Sequence, residues 1–174
     1  PLLLTWSGRG ELMTLNAIES GGMPVFASGN PVLTGFYVNE LVMRLVHRHD
    51  PLPELFELYE QTLHSLAAAA DEERSLRVFE LELLEALGYG LALDVDESGR
   101  PLQAGLAYRH WPERGLVLSD AAHPDSPQVF PAEHLLALHA RDFTLPEVRR
   151  TAKHLMRRVL ATYLGNKPLA SREL

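Results

Sequence analysis

Asn30-Pro-Val-Leu-Thr-Gly-Phe-Tyr-Val-Asn-Glu-Leu-Val-Met-Arg-Leu45 is the stretch that sets the fold class. Asn30 is an N-cap residue type, and Pro31 suits the first helical position, where its missing N–H would be unpaired in any case. From there Leu33, Phe36, Tyr37, Leu41, Val42 and Leu45 recur every three or four residues, the period of a helix with one apolar face. Such a face needs partners, and the sequence that follows supplies them. Asp50-Pro51 ends the first helix and opens a second through Leu55, Leu58, Tyr59, Leu63 and Leu66 into the run from Ala67 to Ala70. Asp71-Glu72-Glu73 places acids on the first turn of a third helix, where the helix dipole favours them, and Gly88 suits its C-terminal cap.

On the N-terminal side, Leu2 to Trp6 and Leu12 to Ile18 are short β-prone runs separated by Ser7-Gly8-Arg9-Gly10, which predicts a hairpin. Two strands alone are marginal and need further strands or helices to lie on. The chain opens in an apolar run with no initiator Met, so it reads as a fragment whose first strand has ladder partners upstream. Residues 19 to 29, rich in Gly and Ser with Pro24, predict a loop and a domain boundary. On the C-terminal side the helical period is lost from Leu91 to Val129. Turn chemistry replaces it at residues 96 to 101 and 123 to 127, with short strands expected over Gly105 to His110 and Gly115 to Ser119. A helix over Ala132 to Ala140 follows. The last helix is expected to start in Phe143-Thr-Leu-Pro-Glu-Val148, with Thr144 and Glu147 as a capping box and Phe143 stapled onto Val148, and to end near Gly165. The class is therefore α+β, mainly α.

Charge is distributed unevenly. The chain has a net charge of −7, yet half of its 16 Lys and Arg fall between residues 141 and 174, against three of its 23 acids. Binding follows the local field, so an acidic protein can still present a cationic face to a polyanion. At 100° per residue, Val148, Ala152, Leu155, Val159 and Tyr163 share one side of the last helix, while Arg149, Arg150, Lys153 and Arg157 share another. This cationic side is compatible with a solvated surface or with polyphosphate binding. Arg149 and Lys153 stand in the first turns, where the helix dipole disfavours cations, and that placement weighs toward a ligand. Lys167 and Arg172 continue the basic segment beyond Gly165-Asn166.

Other chemistry finds little support. The chain has no cysteine, which excludes disulfides, thiol catalysis and thiolate zinc sites and fits a reducing, cytosolic compartment. His47 with His49, and His134 with His139, lack the i, i+4 spacing of a helical ligand pair, so neither a metal nor another cofactor is expected. Ser7 lacks a nucleophile elbow, and a small hydrolase using Ser7 or His110 is retained only as a distant class alternative. Glu80, Glu82 and Glu85 read as an exposed helix face. Arg74 and Arg77 lie among acids on the third helix. Glu73, four residues before Arg77, suits an intrahelical ion pair, and the alternative for these arginines is an anchor for an acidic peptide.

Several segments together resemble the RecO family of bacterial recombination mediators. They are Pro1-Leu-Leu-Leu4, Gly8-Arg-Gly-Glu11-Leu12, Gly35-Phe-Tyr-Val-Asn-Glu-Leu41, Leu76-Arg-Val-Phe-Glu-Leu81, Leu87-Gly-Tyr-Gly90 and Tyr163-Leu-Gly-Asn-Lys-Pro-Leu-Ala-Ser-Arg172. Their order and spacing over almost the whole chain carry the likeness. The resemblance implies residues 1–22 as the last strands of an N-terminal OB-fold, residues 23–174 as the helical domain, and residues 91–130 as a β-hairpin insertion. Some members carry a four-cysteine zinc site in that insertion; here it has no cysteine, so a metal-free insertion is expected. The resemblance further implies a non-enzymatic, bacterial, cytoplasmic, nucleoid-associated protein that binds single- and double-stranded DNA. Such a protein helps load the recombinase onto coated single strands and promotes annealing. Its implied partners are RecR, sometimes RecF, and the acidic C-terminal tail of the single-stranded DNA-binding protein. By position, Arg77 with Arg74 would meet that tail, and Arg149, Arg150, Lys153, Arg157, Lys167 and Arg172 would meet DNA. A protein-interaction module with little direct DNA binding is the alternative.

Overall fold

The computed structural model describes residues 2–9, 12–22, 30–48, 50–68, 71–119, 128–165 and 169–172. Strand β1 (Leu2–Ser7) pairs antiparallel with β2 (Thr14–Ser20), with a register shift between Thr5 and Trp6. The expected hairpin is present, with its second strand displaced two residues toward the C-terminus, Thr14–Ser20 against the expected Leu12 to Ile18. Of the strand residues only Ala17 is even half-buried, so both faces of the ribbon lie open and Leu2, Leu3, Trp6 and Ile18 are all more than half exposed.

Helices α1 (Asn30–Leu45), α2 (Pro53–Ala67) and α3 (Glu72–Ala86) follow in the predicted order. The second starts two residues later than expected because Pro53, not Pro51, takes the first helical position. Asp71 is the N-cap of α3, its carboxylate accepting from the Arg74 N–H at 3.1 Å. Gly88, just past the end of α3, has φ +80°, a conformation a Cβ would strain. The insertion forms a sheet of order β4-β3-β5 from β3 (Ala107–Trp111), β4 (Gly115–Leu118) and β5 (Val129–Pro131). Helices α4 (Ala132–His139) and α5 (Pro146–Leu164) come next, then a single 3-10 turn, Ala170–Arg172.

The core sits where α3 meets its neighbours. α3 packs against α2 and α5, with a smaller contact to α1, and α4 packs against α5. Phe79, Leu83 and Leu84 of α3, Leu135 and Leu138 of α4, and Leu155, Met156 and Leu160 of α5 are almost fully shielded from solvent. At about 1.5–3 kcal/mol for each fully buried large apolar side chain, this cluster is a major stabilising term. Beyond α5, the Glu40 carboxylate on α1 accepts from the backbone N–H groups of Ala170 and Ser171, both at 2.9 Å, and from the Ser171 hydroxyl at 2.7 Å. Leu169 is buried beside them, so residues 169–171 are docked on α1.

Three local expectations are corrected. α5 has no capping box: Leu145 is its N-cap with no side-chain bond, Pro146 leads the helix, and the Thr144 hydroxyl donates instead to Asp142 at 2.6 Å. Glu80 is not on an exposed face; it is fully buried, because α3 is enclosed by helices on several sides. Arg77 pairs with this Glu80 at 2.7 Å, three residues later, and not with Glu73. The turn at residues 123 to 127 lies outside the described residues.

Candidate nucleic-acid and acidic-partner interface

The basic side chains of α5 fall into two stripes with four-residue spacing. Arg149, Lys153 and Arg157 form one; Arg150, His154 and Arg158 form the other. The stripes address different neighbours. Arg149 lies next to the start of α3, its two terminal nitrogens donating to the two Asp71 oxygens at 2.8 and 2.5 Å and its Nε to the Phe143 carbonyl at 2.6 Å. Arg150 is exposed and meets Glu147 one turn back at 3.4 Å. Its neighbour His154 borders a shallow pocket against β5, together with His134, whose Nδ1 is 2.9 Å from the Thr151 hydroxyl. Arg158 lies near His110 of β3. Burial first, and the Arg158 charge second, hold the His110 imidazole below its ordinary pKa.

Lys153 and Arg157 do something different. They line a pocket of about 220 Å³ with Arg77, the residue that sequence position assigns to a protein partner. Leu33, Tyr37 and Leu76 supply apolar wall, and Thr34 and Ser171 supply hydroxyls. Arg77 is only 8% exposed, and its Nε is buried with no hydrogen-bond partner. Its Nη1 is held by Glu80, whose other oxygen accepts from the Tyr37 hydroxyl at 2.7 Å. The nearby acids are engaged: Glu72 accepts from Thr34, and Glu40 from the C-terminal turn. Hydrogen bonds from that turn and the charge of Arg44 hold the Glu40 carboxyl below its ordinary pKa, against the opposing effect of burial.

Residues for which the family resemblance implies two different partners thus line one pocket. Three cations, one of them buried and already paired with Glu80, line this pocket next to apolar surface, an arrangement chemically suited to a carboxylate or phosphate. The remaining assigned residues are elsewhere. Arg74 is exposed on the first turn of α3. Arg172 lies in the terminal 3-10 turn, and Lys167 is outside the described residues. Of the wall residues, Tyr37 reads in the sequence only as part of the apolar helix face, and Thr34 is not picked out there. Their signal was faint: a hydroxyl at 34 and a phenol at 37, one turn apart on an otherwise apolar helix face.

Among the described residues no helix is long and apolar enough to cross a membrane. The family profile described as "Recombination protein O C terminal" matches residues 30–173. A curated protein named DNA repair protein RecO from Pseudomonas aeruginosa is 45% identical over 174 residues, spanning 100% of this chain and 73% of its own length. A protein of the same name from Methylococcus capsulatus is 46% identical over 179 residues, spanning 100% of this chain and 71% of its own length. Another from Coxiella burnetii is 42% identical over 175 residues, spanning 100% and 74%.

Proposed function

The chain belongs to the RecO family of DNA repair proteins, and from that premise we propose that it is a recombination mediator that holds DNA and an acidic protein tail on adjoining surfaces of one helical domain. The observation that carries this reading is the meeting of Arg77 with Lys153 and Arg157 beside Leu33, Tyr37 and Leu76. The partner implied by the family resemblance is an acidic, apolar-ended C-terminal tail, that of the single-stranded DNA-binding protein. Its carboxylate would take the buried Arg77 guanidinium, and its side chains would take the apolar wall. Lys153 and Arg157, both exposed, would meet phosphates of single- or double-stranded DNA outside the pocket mouth, with Arg150 and Arg172 extending the contact. Cations there displace condensed counterions, so affinity would fall with salt.

On this reading the protein approaches coated single strands through the tail, then engages the strand, aids recombinase loading in company with RecR and RecF, and holds two neutralised strands for annealing. No step of this requires bond chemistry in the protein, in keeping with a non-enzymatic role. A second reading, a protein-interaction module with little DNA contact, draws support from the commitment of Arg149 to Asp71, which removes one cation from the DNA face.

One set of variants separates the two. Lys153→Glu with Arg157→Glu should weaken DNA binding at least about tenfold and flatten its salt dependence by about one unit of slope per lost contact. Unchanged DNA affinity in that variant would leave only the interaction module. Replacing Arg77 together with Glu80 should lower affinity for an acidic, apolar-ended peptide while DNA binding survives.

A further inference from the structure

The insertion sheet carries a surface that the basic helix does not account for. β3 turns Tyr108 and His110 inward, at 2% and 9% exposure, and so turns Arg109 and Trp111 to the opposite face. Trp111 is 45% exposed. Its partner across the ladder is Gly115, which has no side chain to cover the indole. The Arg109 guanidinium carbon lies 6.0 Å from the Trp111 ring centroid, at the edge of cation–π range. Beside Arg109 stand Val117 on β4 and Val129 on β5, so no acid opposes it in the sheet. Its Nε is buried without a hydrogen-bond partner.

A cation held over an exposed ring, with no acid paired to it among the described residues, calls for an anion attached to something flat. A nucleotide is both: phosphate for the guanidinium, base for the indole. The position also suits a strand already held by α5. Val129 and Phe130 of β5 line a shallow pocket together with Glu147, Arg150 and His154 of α5, so the sheet and the second α5 stripe share a border.

We infer that Arg109 and Trp111 form a base-stacking subsite for single-stranded nucleic acid. One base lies on the indole, the adjacent phosphate meets Arg109, and the backbone continues past β5 toward Arg150. This inference rests on the DNA-binding reading above and adds a preference to it. A duplex keeps its base faces stacked and cannot offer one to the ring, so the subsite favours single strands.

The chain has two tryptophans, so Trp6→Phe leaves Trp111 as the sole indole emitter. Titrating this variant with an unlabelled oligothymidine should quench the indole along the same isotherm that the anisotropy of a fluorescein-labelled oligothymidine reports. Trp111→Ala in the full chain should weaken oligothymidine binding about tenfold, as loss of one base–aromatic stack predicts. It should leave duplex affinity within about twofold and the salt slope unchanged, because no phosphate contact is lost. Trp111→Phe, which keeps a ring, should retain most of the affinity. Binding by anisotropy without quenching would overturn the subsite, as would an equal loss for single strand and duplex. If the parent chain binds neither, the DNA-binding reading itself falls and the subsite with it.

Discussion

Arg149 and Asp71 are joined by a two-pronged ion pair, 2.8 and 2.5 Å, that ties the first turn of α5 to the N-cap of α3 across 78 residues of sequence. The same carboxylate caps α3 through the Arg74 N–H. Burial raises the Asp71 pKa, but the Arg74 N–H and the Arg149 guanidinium outweigh it and hold the group below its ordinary value. One side chain therefore performs two structural tasks, and Arg149 is less available to DNA than a cation on a solvated helix face. Asp71→Ala should cost about 1–2 kcal/mol in urea unfolding, combining a lost cap with a partly exposed ion pair. Because the folded pKa is depressed, this stabilisation is present above the ordinary carboxylate range and disappears as pH falls through the lowered value. The difference between parent and Asp71→Ala should thus vanish in acid.

Arg77 needs more care than its site assignment suggests. Removing it alone leaves Glu80 fully buried with its cation gone, and an orphaned buried charge costs about 3–5 kcal/mol. Arg77→Ala should therefore destabilise the protein severely, and its loss of peptide binding would be uninformative. Arg77→Met with Glu80→Leu removes both charges and should recover most of that stability, since apolar replacements of a buried pair are commonly neutral or better. Denaturant midpoints of the single and double variants check this. A double variant no more stable than Arg77→Ala would mean that Tyr37 and the surrounding hydrogen bonds, not the charge pair, dominate the site.

His110 provides a pH signature that the carboxylates do not. Burial, then the Arg158 charge, depress its folded pKa below the ordinary 6.5. As pH falls below 6.5 the unfolded chain takes up the proton before the folded chain does, so this contribution to stability is complete above that value and declines beneath it. Parent protein should lose stability between pH 7.5 and 5.5, and His110→Phe, which cannot titrate, should lose measurably less. Equal losses would place the pH sensitivity elsewhere.

Much of the architecture was readable from the residues, and the reason differs by element. The helices announce themselves through three- and four-residue apolar spacing around Leu41, Phe79 and Leu155, a property carried within each segment. β5 escaped because Val129–Pro131 is three residues long and ends in proline, so it exists only through its pairing with β3. The capping box failed on a local competition: Asp142 is two residues from Thr144 and takes its hydroxyl. The site failed and succeeded for tertiary reasons. Periodicity placed Arg149, Arg150, Lys153 and Arg157 together on one side of a helix, but the folded chain divides them, Lys153 and Arg157 lining one pocket and Arg150 another. No sequence window contains Asp71 and Arg149 together, so nothing local could show that one of the four is committed to another helix. Nor could it show that Arg77, more than seventy residues before Lys153, opens into the same pocket.

The hairpin offers a test of the boundary between residues 22 and 23. Every described residue of β1 is exposed, and β2 has a single half-buried position at Ala17. The strands find their packing in each other, while the core that holds the helices together draws on none of their side chains. Deleting residues 1–22 should accordingly shift the thermal midpoint of the helical signal by less than about 2 °C, below the 2–4 °C that roughly 1 kcal/mol produces in a domain of this size. It should also reduce self-association at high concentration, because Leu2, Leu3, Trp6 and Ile18 constitute an apolar ribbon with unpaired edges. Circular dichroism melts and light scattering on the two chains measure both effects. A midpoint lowered by 5 °C or more would show that the hairpin braces the helices, and residues 1–22 would then belong to the same cooperative unit as the rest.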